Sequence, residues 1–458
     1  GATIMARNSR LFGLFATIIL LTASGRVGSS DAGSQLDAAI LLVQTGSLRA
    51  QLPFGVDPSM WVAAPSGGYF QAHDIGGTIA MLPAACIGRL IGADDITASG
   101  ASPPSIPTRV MASLTFGLIA AAGCVFVTKT IQLFAAPHVA LLFGLIFLAA
   151  TIVWPYAKTC LDVTGGCAGS AVMLYALTMV AAGSKRLRYY LLIGAGFAFA
   201  SSFRYSLGPF IGLGLLVTGW LMRSTINKKR TTLAAILAMS LLAPTFLYNL
   251  LRTGNMAKPA TTAAQFDQNN SLSGNAISGT AGLFFSPNRG LIFFSPLFLL
   301  LLGLPFKHKQ IPTPLKQVMI GSGIGTMFYI AMIGSLANWG SFGWGPRYLL
   351  PVMPQLFIPV AVAMVLLWHR WPIMVSGLVI LSLLINASAV LANWQLAAAV
   401  PGTTEKWVAY PSQIVRTMNA NLVGIFGATR QAKNNEQNEI RPGVSTYPDL
   451  LLLSLIHI

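Results

Sequence analysis

The sequence predicts an all-α polytopic membrane protein, and three observations lead to that fold class. Of the 458 residues, 54% are hydrophobic and 9% are charged, whereas roughly a quarter are charged in a soluble domain. Apolar runs of roughly 16 to 22 residues recur from end to end, a length suited to membrane-spanning helices. The sequence does not alternate as a membrane β-barrel does, and lipid excludes open sheets.

The formal net charge of +17 reflects membrane topology. Basic residues form short clusters between the apolar runs, as the positive-inside rule describes for cytoplasmic loops, so nucleic-acid binding is a poor explanation. The clusters lie at Arg7 and Arg10 and at residues 185–188, 223–230, 307–316 and 370. They place the N-terminus in the cytoplasm.

Twelve apolar runs are candidates for crossing the membrane: 9–25, 75–92, 108–130, 138–155, 165–183, 189–203, 206–222, 231–251, 290–305, 317–335, 348–368 and 372–392. All basic clusters fall on the cytoplasmic side if run 75–92 does not cross. That run is short and contains Pro83 and Arg89. We expect it to form an interfacial helix in a first external loop at 26–107, with about eleven crossings in total. The alternative, that 75–92 crosses and a later assignment is wrong, stays open.

This topology gathers the unusual ionisable residues at the outer face. Ionisable groups at membrane depth are costly and therefore mark candidate functional positions. The set comprises Asp31, Asp37, His73, Asp74, Lys158, Asp162, Arg204, Arg289 and Arg347.

Asp31 directly follows the first apolar run, and two compatible interpretations stay open. Residues 32–48 have the pattern of an amphipathic helix with Asp37 on its solvated face. Asp31 is then the N-cap of that helix, because its carboxylate can accept backbone N–H bonds. Alternatively, it is a catalytic carboxylate held at a rigid helix start.

His73 and Asp74 form an adjacent pair that introduces run 75–92. Such a pair can bind metal or phosphate or tune a proton transfer. The structural alternative is an N-cap with a histidine at a wet edge.

The stretch WPYAKTCLDVTGG contains Trp154 and Tyr156, which fit the aromatic belt at a helix end. Lys158 and Asp162 lie four residues apart and suit a simple i,i+4 pair. In the alternative interpretation, Asp162 is a second carboxylate facing Asp31, and Lys158 meets an anion.

Two later motifs supply arginines. GLFFSPNRGLIFFSPLFLL repeats Phe-Phe-Ser-Pro around Arg289, and its prolines and glycine predict a re-entrant turn that presents Arg289 at the outer end of the bundle. NWGSFGWGPRYLLPVMP places Arg347 at a helix start. Guanidinium groups with few carboxylates nearby suit a phosphate partner; the alternative is that both arginines are interface anchors.

The cysteines and the chain ends carry less information. Cys160 and Cys167 suit either a disulfide in an oxidising compartment or small apolar helix positions, and the second explanation is preferred. We expect a natural start at Met5 and an uncleaved first helix. Residues 1–397 are assigned to the transmembrane domain and 398–458 to a short external polar tail, whose last residues, LLLSLIHI, resemble translated adaptor sequence.

Together these motifs resemble those of the GT-C glycosyltransferases, membrane enzymes that use polyprenyl-phosphate sugars as donors. The resemblance covers about residues 10–370. It rests on the external Asp31, the hydrophobic external helix, and the segments WPYAKTCLD, SPNRGLIFFSP and WGPRYLLP, in that order. The chain is similar to protein O-mannosyltransferases, to the transferases that add aminoarabinose to lipid A and, more closely, to uncharacterised bacterial members.

The resemblance implies a role for each candidate residue. Asp31 would act on the acceptor nucleophile, with Asp162 as a second acidic position. The donor phosphate would be held by Lys158, Arg204, Arg289 and Arg347. His73 and Asp74 would be acceptor-binding or auxiliary; AHDIGG departs from the family pattern at this point and leaves their role open.

The resulting hypothesis is an inverting hexosyl- or pentosyltransferase in the bacterial inner membrane, with its active site facing the exterior and Asp31 as general base. Its partners would be a polyprenyl-phosphate-sugar donor and a lipid, glycan or protein acceptor. A divalent metal held by Asp31, Asp74 and Asp162 stays possible as the cofactor. The alternatives are a transporter or flippase of lipid-linked sugars and a polysaccharide polymerase or ligase.

Overall fold

The computed structural model describes residues 2–391 apart from 56–57, 93–95, 98–99, 102–103, 258–270, 305–310 and 341–342, together with residue 414. In these residues the chain is helical except for loops and two short strand pairs. Six helices are long and apolar enough to cross a membrane. The all-α polytopic fold class is therefore confirmed, while the count of about eleven crossings stays a prediction.

The helices are α1 (Ala2–Leu21), α2 (Ser30–Thr45), α3 (Ile75–Leu90), α4 (Ile106–Ile131), α5 (Pro137–Ala149), α6 (Val153–Ala157), α7 (Val163–Ala181), α8 (Leu187–Phe203), α9 (Gly208–Leu221), α10 (Lys228–Thr253), α11 (Ala276–Phe285), α12 (Leu291–Phe294), α13 (Thr313–Gly334), α14 (Met353–Trp368) and α15 (Pro372–Leu391). Strands β1 (Trp61–Ala63) and β2 (Tyr69–Gln71) pair antiparallel, as do β3 (Ile96–Thr97) and β4 (Gly100–Ala101). Short 3₁₀ helices cover Pro58–Met60, Tyr205–Leu207, Pro296–Gly303 and Arg347–Val352.

Helix α2 carries Asp31, but not as its cap. Ser29 has extended backbone angles, and its hydroxyl accepts the Ala32 N–H at 3.1 Å, so Ser29 is the N-cap. Asp31 lies in the first turn, and the prediction that it caps the helix is wrong. Since Ser29 already serves the free N–H, the Asp31 carboxylate can face other elements. The helix ends at Gly46, whose φ of 73° is left-handed.

Helix α3 forms within the predicted run 75–92 and packs along α2. It has 16 residues and contains Pro83, so at 1.5 Å per residue it is about 24 Å long, shorter than a typical hydrocarbon core. Leu36 of α2 and Met81 of α3 meet Phe116 of α4 in one buried cluster. The Arg89 guanidinium donates to the Val43 carbonyl and ties the two helix ends together.

The hairpin of α7 and α8 is a closely packed helix pair in the bundle core. A Cβ added to Gly169 would lie 2.5 Å from the Ala200 nitrogen and 2.8 Å from the Gly196 oxygen. Small residues allow this backbone approach. Because the two helices are antiparallel neighbours, Asp162 at the start of α7 and Arg204 at the end of α8 lie at the same end of the pair.

The predicted run 290–305 is interrupted. Helix α11 ends at Phe285, a tight turn follows, and the chain continues as the single turn α12 and the 3₁₀ helix Pro296–Gly303. In the turn, the Ser286 hydroxyl accepts the N–H groups of Asn288 and Arg289 at 3.2 and 3.1 Å. The prolines that follow each Ser prevent a continuous α-helix, so the predicted break is confirmed.

Two predictions about exposure are wrong. Asp37 is not on a solvated face; it is buried at 1% exposure against the backbone of Gly55. Tyr156 does not project outward as a residue of the aromatic belt does, because its ring is buried and its hydroxyl donates to the Trp344 carbonyl at 3.1 Å. In both cases a segment of the first loop or a connecting segment covers a side chain that the sequence pattern predicts to be exposed.

The cysteines are all free thiols: Cys86 is exposed, and Cys124, Cys160 and Cys167 are buried. Cys160 and Cys167 do not form the disulfide; Cys167 is a small buried position in α7, as expected, whereas Cys160 is buried in the connection between α6 and α7. The predicted polar tail at 398–458 lies outside the described residues, except for residue 414.

The close contact of α7 and α8 predicts that Gly169→Leu strongly destabilises the protein, since the new side chain must push the Ala200 backbone away. Thermal unfolding of the detergent-purified protein should show a melting temperature lower by several degrees. Gly377→Leu is the matched control, because a Cβ at Gly377 has nothing within 4 Å. Equal melting temperatures for the two variants would contradict the packing.

Candidate active site

Three carboxylates and three arginines form the main ion pairs among the described residues. Arg347 Nη2 lies 3.2 Å from Asp31 Oδ2, and Arg204 Nε lies 3.6 Å from Asp162 Oδ2. Arg252 Nη2 lies 3.2 Å from Asp74 Oδ1. These pairs join chain segments far apart in sequence, and they bring together five of the ionisable residues predicted at the outer face, with Arg252 as the sixth partner.

Asp31 is shared by two cationic groups. Its Oδ2 accepts from Arg347, and His73 Nε2 lies 3.5 Å from its Oδ1. Burial raises the pKa of the Asp31 carboxyl, but the charges of His73, Arg347 and Arg204 outweigh burial and hold this pKa well below its usual range. The side chain keeps 18% exposure. Asp31 is thus an ionised carboxylate that a ligand can reach.

The Arg347 side chain is set by the loop before it. Gly343 and Gly345 have positive φ values of 153° and 58°, and a Cβ on Gly343 would lie 3.0 Å from Arg347 Cδ. The WGPRYLLP segment then begins the 3₁₀ helix Arg347–Val352, as predicted. The two-glycine loop therefore lets the backbone pass close behind the guanidinium.

Arg204 and Arg347 lie against the same aromatic ring. Their guanidinium carbons are 4.8 and 5.4 Å from the centroid of Tyr348, a cation–π distance for both. The Nε of each arginine has no hydrogen-bond partner in the described part of the chain. These Nε atoms are buried, and that of Arg204 faces Asp162, but each side chain as a whole keeps 15% exposure. Two adjacent, partly exposed guanidinium groups form a place where an anion such as phosphate can bind.

Asp162 is the N-cap of α7 and also faces Arg204. Its Oδ1 accepts the Val163 N–H at 2.8 Å, and its Oδ2 faces the guanidinium. The predicted i,i+4 pair with Lys158 is wrong, since α6 ends at Ala157 and Lys158 Nζ instead donates to the Val390 carbonyl at 2.7 Å. The charges of Asp162 and Asp31 both act on His73, but Asp162 faces Arg204, so the alternative that Asp162 is a second carboxylate facing Asp31 stays a prediction.

His73 and Asp74 precede α3, and their side chains point to different partners. Burial lowers the pKa of His73, but the charges of Asp31, Asp162 and Asp74 outweigh it, so this pKa is raised. Asp74 occupies the N-cap position of α3 without a side-chain cap bond; its Oδ2 accepts the Tyr205 N–H at 2.8 Å. Burial raises the pKa of Asp74 despite Arg252.

Arg289 is held inside the bundle. It is 3% exposed, and its guanidinium donates to the Gly343 carbonyl. The turn that carries Arg289 is present, but the expectation that it presents the side chain at the outer end is wrong. Burial lowers the pKa of Arg289 to about 10. Arg289 supports the loop that positions Arg347, because it binds that loop's backbone.

Five of the predicted site residues therefore lie close together: Asp31, His73, Asp162, Arg204 and Arg347. Lys158 and Arg289 instead donate to backbone carbonyls. Sequence reasoning missed Tyr348 and Arg252. Tyr348 is the residue after Arg347 in the motif, and Arg252 is a charge directly after the apolar run 231–251. A charged residue next to a membrane-spanning run is costly without a partner, so the position of Arg252 in the sequence already indicated a buried partner.

The hypothesis of a metal held by Asp31, Asp74 and Asp162 finds no support in the geometry. The described residues contain no group of three His, Cys, Asp or Glu side chains placed to hold a metal ion. Each of the three acids instead faces an arginine. The acids are thus already compensated by positive charge.

Comparisons with known proteins show which solved structures have a similar fold. No family model matches the chain, and no curated protein matches it. Among solved structures, ArnT from Cupriavidus metallidurans bound to undecaprenyl phosphate superposes with a TM-score of 0.56 at 15% identity, covering 90% of this chain and 75% of ArnT. The chain has the GT-C fold.

A second GT-C structure agrees. The archaeal oligosaccharyltransferase AglB from Archaeoglobus fulgidus, in complex with an inhibitory peptide and a dolichol-phosphate, gives a TM-score of 0.52 at 10% identity. The alignment covers 97% of this chain but 60% of AglB. The GT-C fold that the sequence motifs suggested is confirmed, and the chain is a multi-pass membrane protein.

The raised pKa of His73 predicts a pH-dependent contribution to the stability of the protein. A histidine whose pKa is raised by folding stabilises the protein fully below its unfolded pKa, and the contribution disappears as pH rises through the folded pKa. The melting temperature of wild type should therefore exceed that of His73→Gln by more at pH 6 than at pH 9. His138→Gln, at an exposed site, is the control. A difference independent of pH would contradict the Asp31–His73 pairing.

Proposed function

We propose that this protein transfers a sugar from a polyprenyl-phosphate donor to a hydroxyl acceptor on a lipid, glycan or protein. One observation carries the proposal: the ionised, partly exposed Asp31 lies between Arg347 and His73, next to a second arginine on the same Tyr348 ring. A carboxylate beside a pair of guanidinium groups suits chemistry in which a hydroxyl is deprotonated and a phosphate departs.

The fold neighbours support the donor class. ArnT was solved with undecaprenyl phosphate and AglB with a dolichol-phosphate. Both ligands are long isoprenoid chains that end in a phosphate. A protein of this fold that presents two guanidinium groups at one end of the bundle is suited to the same headgroup.

The donor phosphate would bind Arg347 and Arg204. Guanidinium groups bind phosphate through paired charge-assisted hydrogen bonds, and the side chains of both arginines keep 15% exposure. Asp162 would keep the Arg204 side chain oriented through its Nε. Arg289 and Lys158 take part indirectly, by holding the backbone at Gly343 and Val390.

Asp31 would act as general base once the donor is bound. A carboxylate with so low a pKa is a weak base, so the base role needs the phosphate to draw Arg347 away from Asp31. The acceptor oxygen then attacks the anomeric carbon from the face opposite the phosphate, and Asp31 takes the hydroxyl proton. The bond from the anomeric carbon to the phosphate oxygen breaks, its electron pair leaves with the phosphate, and the configuration inverts.

His73 would supply further positive charge. When protonated, it faces Asp31 together with Arg347, so it adds to the field that stabilises the departing phosphate. Its charge disappears as pH rises through its raised pKa. We therefore expect transfer to fall on the alkaline side with the titration of His73, whose acidic neighbours are Asp31, Asp162 and Asp74.

The site would face the exterior of the bacterial inner membrane. The basic clusters at residues 185–188 and 223–230 follow α7 and α9, at the ends of those helices away from Asp162 and Arg204. The positive-inside rule assigns these loops to the cytoplasm. The acid–arginine cluster then lies at the outer ends of the same helices.

The proposal predicts that Asp31→Asn lowers sugar transfer by about 100- to 10,000-fold, the usual range for loss of a general base. The measurement is transfer of radiolabelled sugar from a panel of polyprenyl-phosphate donors to membrane lipids and proteins. Asp37→Asn is the matched control on the same helix, with melting temperatures measured for both variants. Wild-type transfer by Asp31→Asn would move the base role to another residue, Asp162 first.

Failure of wild type to transfer from every donor would contradict the proposed activity as a whole. In that case, movement of a labelled lipid-linked sugar across proteoliposome membranes would favour the flippase alternative. Transfer of whole glycans from a glycan-lipid donor would favour the polymerase or ligase alternative.

A further inference from the structure

Arg252 is a buried arginine near the end of α10 that no step of the proposed transfer uses. Its side chain is 0% exposed. Its Nη1 donates to three successive carbonyls, those of Gln71 at 3.2 Å, Ala72 at 2.8 Å and His73 at 2.6 Å. One guanidinium thus holds the whole segment that leads to α3.

The remaining donors of Arg252 are also occupied. Nε and Nη2 donate to Asn249 Oδ1 at 3.1 and 2.7 Å, and Nη2 also lies 3.2 Å from Asp74 Oδ1. The guanidinium lies 4.6 Å from the centroid of Tyr248, whose hydroxyl donates to the Gln71 carbonyl at 2.9 Å. A planar fork with five N–H donors suits this set of acceptors, which the three donors of a lysine cannot match.

The segment held by Arg252 reaches the candidate active site at two points. First, it carries His73, whose imidazole faces Asp31. Second, it carries Asp74, whose other oxygen accepts the Tyr205 N–H. Tyr205 directly follows Arg204 in the chain. Arg252 is therefore connected to the charge beside Asp31 and to the backbone next to a donor-binding arginine.

We propose that Arg252 is a positioning residue that sets both His73 and Arg204 relative to Asp31 through the segment 71–74. The inference rests on the proposed function for its catalytic meaning. Arg252 itself touches neither donor nor acceptor. Its loss leaves every group that contacts substrate in the chain but releases two of them from their positions.

Removal of Arg252 has a signature that a general loss of stability does not produce. With the segment 71–74 released, His73 is no longer held beside Asp31, so its pKa returns toward the ordinary value. The alkaline fall of transfer then moves to lower pH. A displacement on the order of 1 Å from a reacting centre costs about 100-fold in rate, so kcat falls more than the donor KM changes.

The first test is hydrogen exchange by mass spectrometry on the purified full chain, which needs no activity. Arg252→Gln should speed exchange about tenfold or more in peptides covering 71–75 and 204–207, with α13 as an unchanged reference. Lys229→Gln, at the exposed start of the same helix, is the control. Unchanged exchange in either peptide would overturn the proposal.

Tyr248→Phe provides a second variant if Arg252→Gln does not fold. It removes one hydrogen bond to the Gln71 carbonyl and leaves Arg252 in place. Exchange should then rise at 71–75 but by a smaller factor. No rise at all in this variant would overturn the role of the network around Arg252.

The second test is the pH profile of sugar transfer. For Arg252→Gln we expect kcat lower by about 100-fold and an alkaline limb at lower pH, and Arg252→Lys should recover only part of the rate. If Arg252→Gln has the kcat of wild type and loses activity at the same alkaline pH, the proposal is overturned. If wild type transfers from no donor, the proposed function fails, and the exchange experiment still decides whether Arg252 holds both segments.

Discussion

The structure depends on the mutual compensation of charges in a chain that carries few of them. An ionised group inside an apolar bundle is costly unless it is paired and hydrogen-bonded. Asp31, Asp74 and Asp162 meet Arg347, Arg252 and Arg204 respectively. Each pair joins elements that are distant in sequence, so the need to compensate charge also fixes how the first loop docks on the bundle.

The same ion pairs also show how the three arginines differ from one another. Arg252 is completely buried and has all its donors occupied by the protein, so it has a structural role. Arg347 and Arg204 keep 15% exposure, so part of each guanidinium can reach a ligand. Exposure and hydrogen-bond saturation therefore distinguish Arg252 from the two arginines to which the proposed function assigns the donor phosphate.

The sequence was sufficient for features that depend on local pattern. Hydropathy predicted the helical class, the glycines and prolines around Arg289 predicted the break, and the apolar run at 75–92 predicted the short helix α3. The motif order also pointed to the GT-C fold. Asp31, His73, Asp162, Arg204 and Arg347 were identified as site candidates because ionisable residues are rare here.

Sequence reasoning failed where a distant segment decides the environment. Asp37 is buried because the loop at Gly55 covers it, and Asp162 pairs with Arg204 of the next helix instead of Lys158 four residues away. The residues around Arg289 have the composition of an exposed turn, but the Arg289 side chain is buried beneath the loop that contains Gly343. Such contacts depend on tertiary packing, which periodicity and spacing do not encode.

In the proposed function, Asp31 and the donor phosphate compete for Arg347. The most direct measurement is the binding of undecaprenyl phosphate to wild type and to Asp31→Asn, titrated in detergent and followed by tryptophan fluorescence. Because the variant removes the competitor, it should bind the lipid phosphate more tightly than wild type, whereas Arg347→Gln should bind it more weakly. Equal or weaker binding by Asp31→Asn, at an unchanged melting temperature, would contradict the account.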